Sequence, residues 1–169
     1  MPFTRFDEAA GYLDTLLGDV RLVGIDGWPR SGKTTLARQL VSMRGAGSVL
    51  DLDAFVAPGN DEYIQALQVE SLAAAIWRAT IPTILSGVCL LDAFDRIGVK
   101  PDLHVYLKRM SAGMWADEGD AIGVDLTKYE TASIEVLPVY WEIHHYHSKS
   151  RPHERADIVV EIEDGAEVD

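Results

Sequence analysis

Residues 27–35 read GWPRSGKTT, and this stretch decides which fold the rest of the chain can form. Its first eight letters match the pattern G-x-x-x-x-G-K-(S/T), with an apolar run at 21–25 before it and a helical pattern from Lys33 onward. The two glycines let the backbone turn tightly with inward-pointing amides, which form a nest for anionic oxygens. The helix that follows directs the positive end of its dipole at the same place. The stretch is therefore predicted to be a phosphate-binding loop between a strand and a helix.

Residues of this loop have predicted roles in binding a nucleoside triphosphate, taken to be ATP. Lys33 is expected to reach the β- and γ-phosphates, and the Thr34 hydroxyl is expected to ligate Mg²⁺. Arg30 either holds a phosphate or is solvated, and both interpretations stay open. Trp28 is expected to pack as a wall rather than to carry chemistry. The predicted nucleotide-binding set is Gly27, Trp28, Pro29, Arg30, Ser31, Gly32, Lys33, Thr34 and Thr35.

Strands and helices are predicted to alternate along the chain. Near-continuous apolar runs predict five strands, at 21–25, 48–53, 82–86, 103–107 and 156–162. Helical spacing predicts helices at 6–17, 33–43, 69–79 and 127–147, the last one kinked or interrupted at Pro138. This order favours a single α/β domain over residues 1–169, with a five-stranded parallel sheet between helices in the three-layer P-loop NTPase arrangement. Ligands of such sheets bind at the carboxyl ends of the strands.

Bulk composition narrows the classes of protein that fit. The chain has 169 residues, which suits one domain, and a formal net charge of −12 without any block of lysine or arginine. A nucleic-acid partner is not expected, because phosphate backbones need clustered cations. No apolar run approaches the roughly 18–20 residues that span a bilayer, so no membrane is expected. The acid-bearing N-terminus and the lone Cys89, an expected core residue, favour a cytoplasmic location. The oligomeric state stays open.

Two carboxylates lie in the stretch VLDLDAF, residues 49–55. Asp51 and Asp53 are predicted to alternate along the end of the second strand. In a P-loop protein that end lies beside the γ-phosphate, where a carboxylate accepts a proton from a substrate hydroxyl or holds a water on Mg²⁺. The alternative is that these residues lie in a solvated turn. This alternative has more weight for Asp51 than for Asp53.

These motifs together resemble a known family. The stretches GWPRSGKTT and LDAF, an alanine-rich helix and a strand ending at Gly87 look like the uridine kinase-like branch of small P-loop kinases. That family has an Asp-x-Phe motif whose aspartate is the catalytic base, which implies this role for Asp53, with Phe55 completing the motif. The letters DLD are also similar to the Asp-x-Asp of shikimate kinases, whose second aspartate contacts the acceptor hydroxyl. The tail SRPHERADIVVEI resembles the family's last strand, so the likeness spans residues 20–162.

One departure from this family concerns the metal. The family's third strand ends in Glu-Gly, with the glutamate near the metal, whereas this chain has Ser86 and Gly87. The resemblance therefore implies Asp51 as the substitute carboxylate for Mg²⁺, with Asp92 as a weaker candidate.

The other departure concerns the lid, predicted at residues 111–126 as a mobile excursion. The family's lid carries several arginines, but residues 108–120 read KRMSAGMWADEGD and turn acidic after two cations. Arg109 is the cation predicted to act on the transferring phosphate, together with Lys108 or Arg30. Arg151 or Arg155 are the alternatives.

Other candidates are open to two interpretations. The stretch EIHHYH contains Glu142, His144, His145 and His147, for which a solvated or capping role is expected, with a metal site or a substrate contact as alternatives. Phe55, Tyr63 and Trp115 either flank the acceptor cavity or cover the core. Asp26 is expected to be a strand-end turn residue.

The sequence thus favours phosphoryl transfer from ATP to a hydroxyl of a small metabolite, with nucleosides as one candidate class. A shikimate- or gluconate-type acceptor is one alternative, and Arg96 or Arg44 would then bind its carboxylate. A nucleotide-binding switch without an acceptor is the other. A closed cavity beside Asp53 would favour a kinase, and a flat apolar patch there would favour a partner surface.

Overall fold

A parallel β-sheet forms the centre of the structure, a computed structural model that describes residues 2–58, 62–123 and 138–167. Its strands are β1 (Phe3–Arg5), β2 (Leu22–Gly27), β3 (Ser48–Asp51), β4 (Thr83–Ser86), β5 (Leu103–Ser111), β6 (Met114–Trp115) and β7 (Ile158–Glu167). The order across the sheet is β1-β7-β5-β2-β4-β3, all parallel, and β6 pairs antiparallel with β5. The strand β2, which leads into the glycine-rich loop, therefore lies at the centre.

The predicted α/β class is confirmed, but the predicted number of five strands is wrong. Within the described residues, six strands are parallel and β6 adds a seventh. β1 has three residues and β6 has two, so neither is long enough to show the alternation that marks a strand. β5 also continues to Ser111, past its predicted end at 107, because its second half pairs with β7 from Lys108 to Met110.

Helices flank the sheet and connect its strands. They are α1 (Phe6–Leu17), α2 (Lys33–Arg44), α3 (Val69–Arg78), α4 (Leu90–Ile97), α5 (Glu118–Ile122), α6 (Pro138–Ser150) and α7 (Pro152–Arg155). α4 has no predicted counterpart, because a short apolar run fits a strand or a helix equally well. Of the helix predicted at 127–147, residues 127–137 lie outside the described ranges, and α6 begins at Pro138. None of the described helices is long and apolar enough to cross a membrane.

Each face of the sheet has its own apolar core, which gives three layers. On one face, α1 and α2 bury Leu13 and Leu36 against Val23 of β2. On the other face, α3, α4 and α6 bury side chains such as Leu72 and Phe94 in a second cluster. β2 passes close to α4, because a Cβ on Gly24 would lie 2.7 Å from the ring of Phe94.

The segment predicted to be a mobile excursion has three buried side chains in its described part, residues 111–123, and its mobility stays a prediction. β6 returns against β5, and Trp115, Asp117 and Ala121 are all buried. α5 contacts α6, and the Asp120 carbonyl is bonded to the ring of His144. The sequence did not predict these buried positions, because each is a single residue between exposed, often acidic neighbours. Residues 124–126 lie outside the described ranges.

Candidate active site

The glycine-rich loop joins β2 to α2, in the context that the sequence predicts. Gly27 ends β2, and Gly32 precedes α2 in the left-handed region at φ 94°. A Cβ on Gly32 would lie 2.5 Å from the ring of Phe6, and one on Gly27 would lie 2.6 Å from the Leu107 carbonyl oxygen. Any larger residue would displace these neighbours. No side chain caps α2 in the described part of the chain, which leaves its first amides available to an anion.

The ammonium of Lys33 lies inside the loop. Its Nζ donates to the Trp28 carbonyl at 2.7 Å and to Ser31 Oγ at 3.5 Å. Burial lowers the pKa of Lys33 to about 8, against the opposing effect of nearby carboxylates, of which Asp26 is the largest. The loop therefore holds a buried cation whose present partners are weak acceptors compared with a phosphate.

Three oxygen-bearing side chains meet beside the loop. Thr34 Oγ1 donates to Asp51 Oδ2 at 3.3 Å and lies 3.4 Å from Ser86 Oγ. β3 and β4 bring Asp51 and Ser86 into register at their carboxyl ends. Hydroxyl and carboxylate oxygens are the donors that Mg²⁺ prefers, so this set fits the ion that the loop implies.

Asp53 does not alternate with Asp51 along a strand, so that prediction is wrong. β3 ends at Asp51, and residues Leu52–Phe55 form a 3₁₀ turn. The Asp51 carboxylate caps this turn by accepting from the Asp53 amide at 3.2 Å. The cap competes with continued strand pairing, which explains why the strand stops early. Asp53 is exposed on the turn, and the Tyr63 hydroxyl donates to its Oδ1.

One pocket of about 630 Å³ brings the loop and both carboxylates together. Its lining residues are Pro29, Arg30, Gly32, Lys33, Thr34, Thr35, Asp51, Asp53, Tyr63, Gly87, Val88, Val139, Tyr140 and Ile143. It is a concave site at the carboxyl ends of the strands, where ligands of parallel sheets bind. The pocket is concave rather than a flat apolar patch, but it is open to solvent and is not the closed cavity expected of a kinase.

Helix α6 forms one wall of this pocket. Val139, Tyr140 and Ile143 line the pocket, and Glu142 on the same helix accepts from the backbone amides of Tyr63 and Ile64, the latter at 2.9 Å. The helix thus fixes the segment whose hydroxyl reaches Asp53. The sequence predicts a solvated or capping role for the segment that contains Glu142, with a metal site or a substrate contact as alternatives, and it does not predict this backbone contact.

Asp26 is fully buried within β2, so its assignment to a strand-end turn is wrong. Its Oδ1 accepts from the Gly27 amide at 2.7 Å, and its Oδ2 accepts from the Tyr146 hydroxyl. His104 Nε2 lies 3.7 Å from the same Oδ2. A buried carboxylate needs such donors. Helix α6 therefore lines the pocket and, through Tyr146, also contacts the residue directly before the loop.

Two of the three clustered histidines are buried, so the solvated role predicted for them is wrong. His147 Nδ1 bonds to the Ile143 carbonyl at 2.8 Å and must carry the proton, which leaves Nε2 to accept from the Tyr106 hydroxyl at 2.9 Å. Burial lowers the pKa of His147 and keeps it neutral. His144 also packs on Trp28, whose ring is buried in the core and does not line the pocket. His145 is exposed and stacks on Trp141. Within the described residues, no three His, Cys, Asp or Glu side chains are grouped so that they could hold a metal ion.

The lid cations lie within β5 rather than after it, and none lines the pocket. Lys108 Nζ lies 4.4 Å above the Trp115 ring. Arg109 donates to Asp117 Oδ1 at 2.6 Å, and this hydrogen bond raises the pKa of the guanidinium. Arg109 also lines a smaller cavity of about 230 Å³, and Arg30 and other loop residues line the same cavity. Its predicted action on a phosphate therefore stays a prediction.

The remaining candidates are distributed between the pocket and the core. Tyr63 lines the pocket, while Phe55 and Trp115 pack in the core. Cys89 is a core residue as predicted, and burial raises the pKa of its thiol. Asp92 accepts from Ser150 at 3.3 Å, and Arg151 pairs with Glu154 at 3.1 Å.

Comparisons with known proteins agree with this fold. No protein-family model matches the chain, and no curated protein matches it by sequence. A solved structure described as a possible uridine kinase from Bacillus stearothermophilus superposes with a TM-score of 0.53 and 20% sequence identity, covering 90% of this chain and 97% of that one. A shikimate kinase from Aquifex aeolicus gives a TM-score of 0.47 and 14% identity, over 83% of this chain and 86% of that one. The chain shares the fold of P-loop kinases.

Proposed function

We propose that this chain transfers the γ-phosphoryl group of ATP to a hydroxyl of a small metabolite, with nucleosides as one candidate class of acceptor. The observation that carries the proposal is the single pocket in which Lys33 and Thr34 of the loop lie beside Asp53. A phosphate site alone would fit any nucleotide-binding protein. A carboxylate that lines the same pocket supplies the base that phosphoryl transfer to a hydroxyl needs.

In this mechanism the loop amides and the Lys33 ammonium bind the β- and γ-phosphates. Thr34 and Asp51 would hold Mg²⁺, which offsets charge on the phosphate oxygens when it is bound. The acceptor oxygen forms a bond to the γ-phosphorus while the bond from that phosphorus to the bridging oxygen breaks. ADP leaves with the bridging oxygen, and Asp53 takes the hydroxyl proton. Positioning and electrostatic stabilisation supply most of the rate.

Tyr63 adds a condition to this mechanism. Its hydroxyl donates to the Asp53 oxygen that would otherwise accept from the acceptor. An incoming hydroxyl must either replace the Tyr63 hydroxyl or use the other carboxylate oxygen. Arg30, which lines the pocket, is the cation best placed to offset the developing charge, and Arg109 would act from the smaller cavity. A cytoplasmic location fits the supply of ATP.

The nucleotide-binding switch without an acceptor is less well supported. It predicts an apolar surface beside Asp53, whereas the residues there form a concave pocket with two carboxylates. Ser86 stands in place of the family's glutamate, and Lys108 and Arg109 are not among the described lining residues of the pocket. Both features still argue for slow turnover.

The test measures ATP turnover with Mg²⁺ against a panel of nucleosides and small hydroxylated metabolites. Asp53→Asn is compared with wild type and with Asp19→Asn, which changes an exposed aspartate in the turn after α1. We expect acceptor-dependent turnover that falls by about 10²- to 10⁴-fold in Asp53→Asn alone. Unchanged turnover in Asp53→Asn would remove Asp53 as the base.

A further inference from the structure

The charges that line the 630 Å³ pocket are divided between its two sides. In the part of the chain that the structure describes, the lining cations are Arg30 and Lys33, and both belong to the loop. The lining acids are Asp51 and Asp53, at the end of β3 and on the turn that follows it. A bound triphosphate would engage the two cations, because its phosphate groups are anionic. The space beside Asp53 would then be left with negative charge.

The arginines that could bind an anionic acceptor are engaged elsewhere. Arg44 donates to Asp14 at 2.7 Å and to the Gly18 carbonyl at 3.2 Å, so it ties α2 to α1. Arg96 donates to the Gln65 carbonyl at 3.2 Å. Neither residue lines the pocket. With Asp51 assigned to Mg²⁺, a carboxylate bound beside Asp53 without a cationic side chain to pair with would be repelled and would lose its hydration.

The rest of the wall is largely apolar. Val88 follows β4, and Val139, Tyr140 and Ile143 line the pocket from α6. Tyr63 adds an aromatic ring whose hydroxyl is already bonded to Asp53. Such a wall stabilises a ligand that has an apolar or aromatic face of its own.

We infer that the acceptor is an uncharged or cationic alcohol with an apolar face, and that the pocket rejects carboxylates and phosphate esters. The inference rests on the proposed function, because it takes the pocket beside Asp53 as the acceptor site. Rejection of the wrong class comes from unpaired like charges, which is a common source of specificity. An ammonium group on the acceptor would pair with Asp53, because Asp51 is assigned to Mg²⁺.

The test uses ligands that are matched in shape and differ in charge. The first set is 3-phenylpropane-1,2-diol, 3-phenyllactate and phenylalaninol, and the second is uridine with uridine 5′-monophosphate. Each is titrated by ligand-observed NMR onto the chain saturated with Mg²⁺ and a non-hydrolysable ATP analogue. We expect the uncharged or cationic members to bind at least about tenfold more tightly than the anionic ones, because like charges a few ångströms apart repel. Anionic members that bind equally well would overturn the inference.

A charge added to the pocket provides the second measurement. Val139→Lys places a cation on the lining, and Val159→Lys is the matched control on β7, where Val159 is 39% exposed. We expect Val139→Lys to gain at least about tenfold in affinity for 3-phenyllactate, and the control to gain nothing. Tyr140→Lys repeats the test at a lining residue that is 38% exposed and tolerates a polar side chain. If neither pocket lysine improves anion binding over the control, the inference fails, even where wild type binds no probe.

Failure of the proposed function would look different from failure of this inference. A chain that selects ligands by charge but shows no acceptor-dependent ATP turnover would keep the binding preference and lose the kinase. A chain that phosphorylates a carboxylated acceptor would keep the kinase and lose the preference.

Discussion

The two sides of the pocket are built in different ways. The nucleotide side comes from one short stretch, residues 29–35, in which the bond from Lys33 to the Trp28 carbonyl spans only five positions. Thr34 reaches farther, to Asp51 and Ser86, which are 17 and 52 positions away. The acceptor side joins the turn after β3, Tyr63, the end of β4 and α6. Glu142 and Tyr63 are 79 positions apart. A local loop keeps its geometry when distant residues change, whereas an assembled wall depends on every segment that holds it.

The largest expected effect is on the local side. Lys33→Ala removes charge-assisted bonds to two phosphates, each worth about 1.5–3 kcal/mol. We expect nucleotide affinity to fall at least about 100-fold in a calorimetric titration with Mg²⁺ and an ATP analogue. Lys100→Ala, which removes an exposed lysine in the turn before β5, should bind as wild type does. Equal losses in both variants would mean that general charge, and not the loop, governs affinity.

A second experiment tests whether nucleotide binding by the loop is independent of contacts with α6. Tyr146→Phe leaves Asp26 Oδ2 without the Tyr146 hydroxyl inside the core, directly before Gly27. We expect the free energy of unfolding in urea to drop by about 1–3 kcal/mol. Tyr140→Phe on the same helix removes a hydroxyl from a residue that is 38% exposed and should change stability little. If nucleotide affinity falls along with stability in Tyr146→Phe, the loop depends on α6 too.

The pH dependence of nucleotide binding sharpens the same comparison. Burial sets the pKa of Lys33 to about 8 in the empty protein, and bound phosphates must raise it. The charged form is therefore fully available only well below pH 8, and affinity should fall by up to about tenfold per pH unit well above it. Titrations between about pH 7 and 9.5, in buffers of different ionisation enthalpy, should also show proton uptake above the pKa. Constant affinity over this range would place the pKa of Lys33 well above 8.

The smallest effect is expected on the assembled side. Glu142→Gln keeps one carbonyl oxygen and loses the other acceptor, so one of the amides of Tyr63 and Ile64 loses its partner. We expect KM for the acceptor to rise about five- to tenfold while KM for ATP stays constant, since one net hydrogen bond is worth about 1 kcal/mol. Glu154→Gln, at an exposed ion pair, is the control. A matching rise in KM for ATP would show that α6 supports both sides equally.

The sequence by itself determined the loop, the α/β class and the positions of the five longer strands. Those features depend on residues close together in the chain, or on strand ends that a parallel sheet must bring together. It did not determine the number of strands, because β1 and β6 are too short to carry a period. The early end of β3 depended on a capping bond that competes with pairing.

Only the tertiary structure decided what Asp26, Glu142 and His147 do. Each is a polar residue whose role is fixed by a partner on another element or by its depth of burial, and single letters carry neither. The same holds for Arg44 and Arg96, whose side chains are bonded away from the pocket. A buried polar side chain needs a hydrogen-bonding partner, and several residues could serve. Which one does so depends on tertiary packing, because the partners are many positions apart in the sequence.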